Sequence, residues 1–275
     1  MYSITFTGSN TSILEYLARR EDIHLSCCFF HKRSGDPSSF VTLCKVYDLP
    51  YKIISSNKAI LSALETSGDV TLGISAGFEI LSRAVYQWPK RGFVNIHSSY
   101  LPFYKGANPF YYQLLNNEKE GGVSIHQVTK GVDGGRIFCR EKYPIYFEDD
   151  IFILIKRANR LAIQLLDEYL ARILKGELDG IENVGGSYFP PVRKKQFIDL
   201  KMLPLQIYNL VRSQTIYGGC YLKFEDEILC VEKVLIRNKI SDCSDIDWGA
   251  PPIVIGLNDE YDLILYVKKN TERHC

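Results

Sequence analysis

The stretch Tyr2-Ser3-Ile4-Thr5-Phe6-Thr7-Gly8-Ser9-Asn10-Thr11-Ser12-Ile13-Leu14-Glu15 sets the fold class. Residues 2–7 alternate as a strand does, and Gly8-Ser9-Asn10 breaks the alternation. Ser12-x-x-Glu15 then has the form of a capping box and opens a short helix to Arg20. Outward from this unit the texture repeats. Leu25 to Phe30 reads as a second buried strand, and Phe40–Tyr47, Ile53–Ile54, Ile60–Leu64 and Val70–Ile74 continue as alternating short helices and strands. Strands that feed helices need crossover connections, so the expected architecture is α/β with a mostly parallel sheet.

Further along, apolar residues from Asp149 to Lys175 recur at three- and four-residue steps (Ile151, Leu154, Ala158, Leu161, Leu165), which predicts a long amphipathic helix ended by Gly176. Gly186, Pro190, Pro191 and the basic group Arg193-Lys194-Lys195 then read as a surface connection, followed by a helical segment over Leu203–Arg212. Beyond it Cys220–Phe224, Ile228–Leu235, Ile253–Leu257 and Leu263–Val267 have the length and spacing of short strands. The expected division is a domain over 1–200 and a small β-rich C-terminal appendage over 201–275.

Bulk properties narrow the function. The 275 residues hold 33 Lys and Arg against 32 Asp and Glu, a net charge of +1, which gives no global field toward nucleic acid or anionic lipid. The eight cysteines show no CxxC and no Cys/His pair at zinc-ligand spacing, so reduced thiols, no metal and a cytoplasmic setting are expected. Met1 leads straight into the first strand, and no run of about 18 apolar residues occurs, so neither a leader nor a membrane span is expected.

The chemistry-bearing residues lie between Gly92 and Gly135. Phe93-Val94-Asn95-Ile96-His97 is a strand whose alternation sets Asn95 and His97 on one face. Ser98 to Pro109 is a loop at that strand's carboxyl end, where open α/β sheets place ligands. A second strand over Val123–Val128 leads into Thr129-Lys130-Gly131-Val132-Asp133-Gly134-Gly135, where three glycines let the backbone approach a ligand around one carboxylate. Taken singly, a His on a strand is more often structural and an Asp among glycines is usually a turn former. His126 reads as structure or as support.

The ordered set Asn-x-His, S-x-L-P-x-x-K-G-A-x-P, G-V-x-I-H and G-V-D-x-G, with Asn95 and Asp133 separated by 38 positions, resembles the 10-formyltetrahydrofolate-dependent formyltransferases. Ser98, Tyr100, Phe103 and Gly134 depart from that family's usual residues, and the departures bear on the acceptor. The resemblance implies a Rossmann-like formyltransferase sheet and Asn95, His97 and Asp133 as the catalytic triad. An amine attacking a formyl carbon needs a donor for the developing oxyanion and an acceptor for the amine proton. Asn95 supplies the first, His97 the second, and Asp133 orients the imidazole and favours its charged form. The resemblance also implies folate contacts from Phe78, Glu79, Ile80 and Leu81 and from Thr129, Lys130 and Gly131. It implies acceptor contacts from Ser99, Tyr104, Lys105, Asn108, Tyr188 and Arg193. Aromatics at 100, 103, 104, 110, 111 and 112 suit a nucleotide or sugar ring, with Tyr111 or Phe110 expected in the core.

Three acceptors divide the family. The phosphoribosylglycinamide reading rests on Gly8-Ser9-Asn10 as a phosphate turn and is opposed by the residues beyond 200. The methionyl-tRNA reading calls for a basic face, whereas only Arg193-Lys194-Lys195 and Lys268-Lys269 cluster. The nucleotide-sugar N-formyltransferases resemble the chain best. The expected acceptor is dTDP-4-amino-4,6-dideoxyglucose on the way to lipopolysaccharide O-antigen, with a homodimer as the expected assembly and no nucleic acid or membrane partner. A non-catalytic folate- or nucleotide-binding module and a formyltetrahydrofolate hydrolase are the remaining alternatives.

Overall fold

The computed structural model describes residues 1–192, 196–224, 227–238, 253–256 and 261–269. In chain order the elements are β1 (Tyr2–Gly8), α1 (Thr11–Ala18), β2 (Ile23–His31), α2 (Ser38–Val46), β3 (Tyr51–Ile54), α3 (Asn57–Leu64) and β4 (Leu72–Ala76). They continue with α4 (Arg83–Tyr86), β5 (Phe93–His97), β6 (Lys105–Gly106), α5 (Pro109–Leu115), β7 (Glu120–Gln127), β8 (Ile137–Pro144) and α6 (Ile151–Lys175). The last are β9 (Tyr188–Phe189), β10 (Phe197–Ile198), α7 (Pro204–Gln214), β11 (Cys220–Phe224), β12 (Glu227–Asn238), β13 (Ile253–Gly256) and β14 (Tyr261–Lys269). Two compact units divide the chain: residues 1–106, 121–143 and 157–188 form one, and residues 107–120, 144–156 and 189–275 the other.

The first unit is built on a seven-stranded sheet of order β3-β2-β1-β4-β5-β7-β8. The pairs from β3 to β5 are all parallel, as the strand-and-helix alternation predicts, and the direction reverses where β7 runs antiparallel to β5. The first strands read as apolar runs because helices cover the sheet. Phe29, Ile60, Leu64, Val85 and Phe93 form one buried cluster across strands and helices. Truncating a fully buried ring such as Phe93 to alanine would cost about 3–5 kcal/mol.

The first helix corrects one expectation. Ser12 lies inside α1, and the cap is Asn10, whose side-chain oxygen accepts from Ile13 N at 3.2 Å. Asn10 wins because its rotamer is held from behind: its Nδ2 donates to Asn159 Oδ1 at 2.8 Å. Glu15 turns away to Arg19, at 2.5 Å, and to the Tyr47 hydroxyl, at 3.2 Å. The helix ends at Ala18, before Arg20, where Arg19 N and Arg20 N fold back on Glu15 O and Leu17 O.

The second unit holds a five-stranded sheet of order β10-β11-β12-β14-β13, packed through Leu222, Val231, Leu263 and Leu265 against Ile207, Leu210 and Val211 of α7. It is the β-rich appendage the sequence predicts, joined by the earlier segments 107–120 and 144–156. Arg212 of α7 is buried and donates to the main-chain oxygens of Tyr146, Phe147 and Asp149, which fixes the turn before α6. No helix among the described residues is long and apolar enough to cross a membrane, and none of their His, Cys, Asp and Glu residues cluster to hold a metal ion.

Candidate active site

The site belongs to the first unit and is organised by the β5–β7 ladder. Asn95 stands opposite His126 and His97 opposite Ser124, so the pleat sets all four side chains on one face while Val94 and Ile96 pack on the other. Ser124 is fully buried and serves the loop after β5: its hydroxyl donates to Ser99 O at 2.7 Å and accepts from Leu101 N at 3.0 Å.

Asp133 enters from the glycine-rich loop with φ of 46°, in the left-handed region that Asp tolerates better than most residues. Its Oδ2 accepts from Gly106 N at 2.8 Å, and its Oδ1 lies 3.3 Å from Asn95 Nδ2 and 3.3 Å from His126 Nε2. Oδ2 is also 3.6 Å from His97 Nδ1. The sequence-predicted triad is thus brought together, and a fourth member, His126, joins it.

Carbonyl partners fix both tautomers. His97 Nε2 is 2.7 Å from Tyr104 O, so that nitrogen carries the hydrogen and Nδ1 presents a lone pair toward Asp133. His126 Nδ1 is 2.9 Å from Gln127 O, so its Nε2 is the acceptor and takes a hydrogen from Asn95 Nδ2 at 3.2 Å. The two Asn95 amide hydrogens are therefore directed at His126 and Asp133, and donation to a ligand oxygen exchanges one of these partners.

Burial lowers the His97 pKa, opposed by the Asp133 carboxylate and the Tyr104 carbonyl and assisted by the neighbouring His126, so the ring rests neutral at pH 7. Burial alone would raise Asp133, but its contacts with the His126 and His97 imidazoles and the Gly106 N–H outweigh it and hold the carboxyl at about 2. The site therefore pairs a neutral base with a carboxylate that stays ionised.

The remaining expected residues fall in several places. Phe78 and Val128 pack against the buried cluster that contains Leu81, so the segments 78–81 and 128–131 are both anchored to it. There Glu79, Lys130 and Gly131 are exposed, Ile80 is 72% exposed and Thr129 is half-buried. Leu81 itself is core. Ser99 is fully buried and its hydroxyl donates to Phe103 O, so its side chain serves the loop. Tyr104 contributes through its carbonyl, and Lys105 Nζ donates to Asn183 O and Gly185 O. Tyr188, in β9, is exposed. In the second unit Asn108 donates to the Tyr217 hydroxyl at 2.5 Å and accepts from Val192 N, Tyr111 is buried, and Tyr112 packs on Phe189. The Tyr100 ring carries the Arg140 guanidinium at 4.3 Å. Arg193 lies outside the described residues.

Sequence reasoning read His126 as structure or support, without its contacts to Asn95 and Asp133, and missed Asn183. The G-V-x-I-H pattern was the available signal for the first. Nothing in the sequence near Asn183 marked the second.

Residues 41–170 match the formyl transferase family. The chain carries the formyl transferase domain. A methionyl-tRNA formyltransferase of Synechococcus is 32% identical over 202 residues, 72% of this chain and 62% of that protein. One from Geobacter metallireducens is 30% identical over 207 residues, and the chain spans 66% of its length. Among solved structures, WlaRD, a sugar 3N-formyl transferase in the presence of dTDP and 5-N-formyl-THF, shares the fold with a TM-score of 0.72 at 18% identity, covering 97% of this chain and 98% of its own. The N-formyltransferase from Helicobacter canadensis in complex with folinic acid and dTDP-3-aminofucose gives 0.71 at 20% identity, over 98% of this chain and all of its own.

Proposed function

We propose that this protein transfers a formyl group from 10-formyltetrahydrofolate to the amine of a nucleotide-linked amino sugar. The carrying observation is the 3.6 Å approach of His97 Nδ1 and Asp133 Oδ2, two acceptors facing one another with the other ring nitrogen committed to Tyr104. Such a pair receives a proton-bearing nitrogen. His97 takes the hydrogen that the attacking amine loses, and the imidazolium so formed is stabilised by a carboxylate already charged. Asn95 turns one amide hydrogen to the formyl oxygen. His97 returns the proton to the departing folate nitrogen, so the amine's hydrogen ends on tetrahydrofolate and the formyl group on the acceptor.

The co-substrate supplies an activated formyl group. Anchoring of the segments 78–81 and 128–131 to one buried cluster, with Ile80 exposed, supports them as the place of an apolar ring with a hydrogen-bonding edge. For the acceptor, the likeness to two sugar N-formyltransferases over nearly the whole of both chains supports a nucleotide sugar, and dTDP-4-amino-4,6-dideoxyglucose for O-antigen synthesis is the specific reading. Methionyl-tRNA is the second reading, supported by 32% identity to an enzyme of that activity. The mostly buried thiols among the described residues suit the cytoplasm, and the position of the four-residue strand β13 at the edge of the described sheet suits a homodimer, which light scattering would test.

The deciding assay offers 10-formyltetrahydrofolate with 3- and 4-amino dTDP-, GDP- and UDP-sugars, glycinamide ribonucleotide, methionyl-tRNA or no amine, and follows tetrahydrofolate release. Turnover with a dTDP-amino sugar alone is expected. Turnover only with tRNA or the ribonucleotide replaces the acceptor, and release without any amine makes the protein a hydrolase.

A further inference from the structure

The segment after α6 touches both loops of the site. Asn183 Nδ2 donates to Asp133 O at 2.7 Å and to Gly135 O at 2.9 Å, bridging the carbonyls that flank the turn at Gly134. Ser187 Oγ accepts from Tyr104 N at 2.9 Å, and Ser187 O accepts from Lys105 N at 2.9 Å. Gly186, at φ of 82°, lies so close beneath the first loop that a Cβ there would stand 1.9 Å from Pro102 O. One short strap therefore fastens the residue that carries the carboxylate and the residue whose carbonyl fixes the His97 tautomer.

Asn183 is only 7% exposed, and its Oδ1 is buried without a hydrogen-bond partner among the described residues. The amide is thus held by its two N–H bonds alone, and the orientation follows because carbonyls only accept. Asp133 stands at positive φ, with Gly131 and Gly134 exposed around it, and the Asn183 bonds hold the main chain on both sides of Gly134.

We propose that Asn183 is a positioning residue for formyl transfer, holding the Asp133 loop so that the carboxylate stays within reach of His97. This rests on the formyl-transfer reading above. It predicts a specific electrostatic consequence. The charged or titratable groups facing His97 are Asp133 and, on β7, His126 with ring centres 6.2 Å apart; of these Asp133 alone raises its proton affinity. If the carboxylate drifts, His97 titrates at lower pH.

The test compares wild type with Asn183→Ala, with Asn183→Asp, which keeps the shape but lacks the two N–H donors, and with Val184→Ala, an exposed neighbour on the strap. His97 is titrated by NMR in the free protein, and kcat and KM are measured with the acceptor found above. Asn183→Ala and Asn183→Asp are expected to lower the His97 midpoint and to reduce kcat by up to about 100-fold at little-changed KM, while Val184→Ala matches wild type. Should the alanine variant fail to fold, Asn183→Ser, which keeps one donor, is expected to show the same shift at smaller size. An unmoved His97 midpoint with wild-type kcat in folded variants, whatever the loss in melting temperature, overturns the proposal. A wild type inactive toward every amine would overturn the formyl-transfer reading instead, and the NMR titration would still decide whether Asn183 holds Asp133 against His97.

Discussion

The Nε2 atom of His97 lies 2.7 Å from the main-chain oxygen of Tyr104, a residue in left-handed backbone geometry at φ of 59°. The imidazole is therefore oriented by peptide geometry rather than by a neighbouring side chain. Asn tolerates that geometry and Val does not, so Tyr104→Val should be less stable than Tyr104→Asn by about 1 kcal/mol. Both variants lose the same ring, and urea unfolding of the two side by side isolates the backbone effect.

Because His97 must be neutral to accept a proton, and burial lowers its pKa, the acid limb of kcat/KM should have its midpoint below the ordinary histidine value of about 6.5. A pH–rate profile checks this. A midpoint above 7 would mean that the carboxylate, and not burial, governs the ring.

Asp133 titrates at about 2 in the folded protein and near 3.9 in an unfolded chain. Its folded value is the depressed one, so the stabilisation is present above pH 4 and is lost as pH falls through 2, about 2.6 kcal/mol in all. Asp133→Asn should abolish turnover and remove that part of the acid sensitivity. Urea midpoints at pH 5, 4, 3 and 2 for both proteins would show the slopes converge or stay parallel.

Truncating Asn95 removes the amide expected to meet the formyl oxygen, a loss worth about 2.7–4 kcal/mol of transition-state stabilisation where such donors have been removed. Asn95→Ala should lower kcat by two to three powers of ten, as a rough scale, while its circular dichroism spectrum matches wild type. Single-turnover kinetics with saturating folate separates this from weakened binding.

At Gly135 a Cβ would stand 1.9 Å from the oxygen of Gln127, a backbone atom that cannot step aside without breaking the ladder. Gly135→Ala should therefore displace the loop that carries Asp133 and lose most activity, whereas Gly131→Ala, with its nearest contact at 3.9 Å, should leave that loop in place. Parallel assays of the two variants test the contrast.

The parallel strands, the long helix and the meeting of Asn95, His97 and Asp133 were legible because each rests on local periodicity or on ordered spacing: β5 was read to the residue, and α6 begins two residues after the expected Asp149. Asn10 was missed as the helix cap because a Ser-x-x-Glu pattern two residues later has the same form, and only the contact with Asn159 on α6 separates them. His126 and Asn183 could not be assigned from sequence for a related reason. Their contacts arise from an antiparallel register and a strap, 31 positions from Asn95 and 50 from Asp133, and neither leaves a periodic trace.

The reversal of direction between β5 and β7 separates durable parts of the molecule from replaceable ones. Interstrand pairing alone sets the spacing of Asn95 and His126, and the turn joining the two strands through residues 98–119 takes no part in it. Within that excursion the Tyr104 carbonyl and the Gly106 N–H hold His97 and Asp133 through main-chain atoms, so its side chains can be rewritten as long as those two peptide groups stay in place.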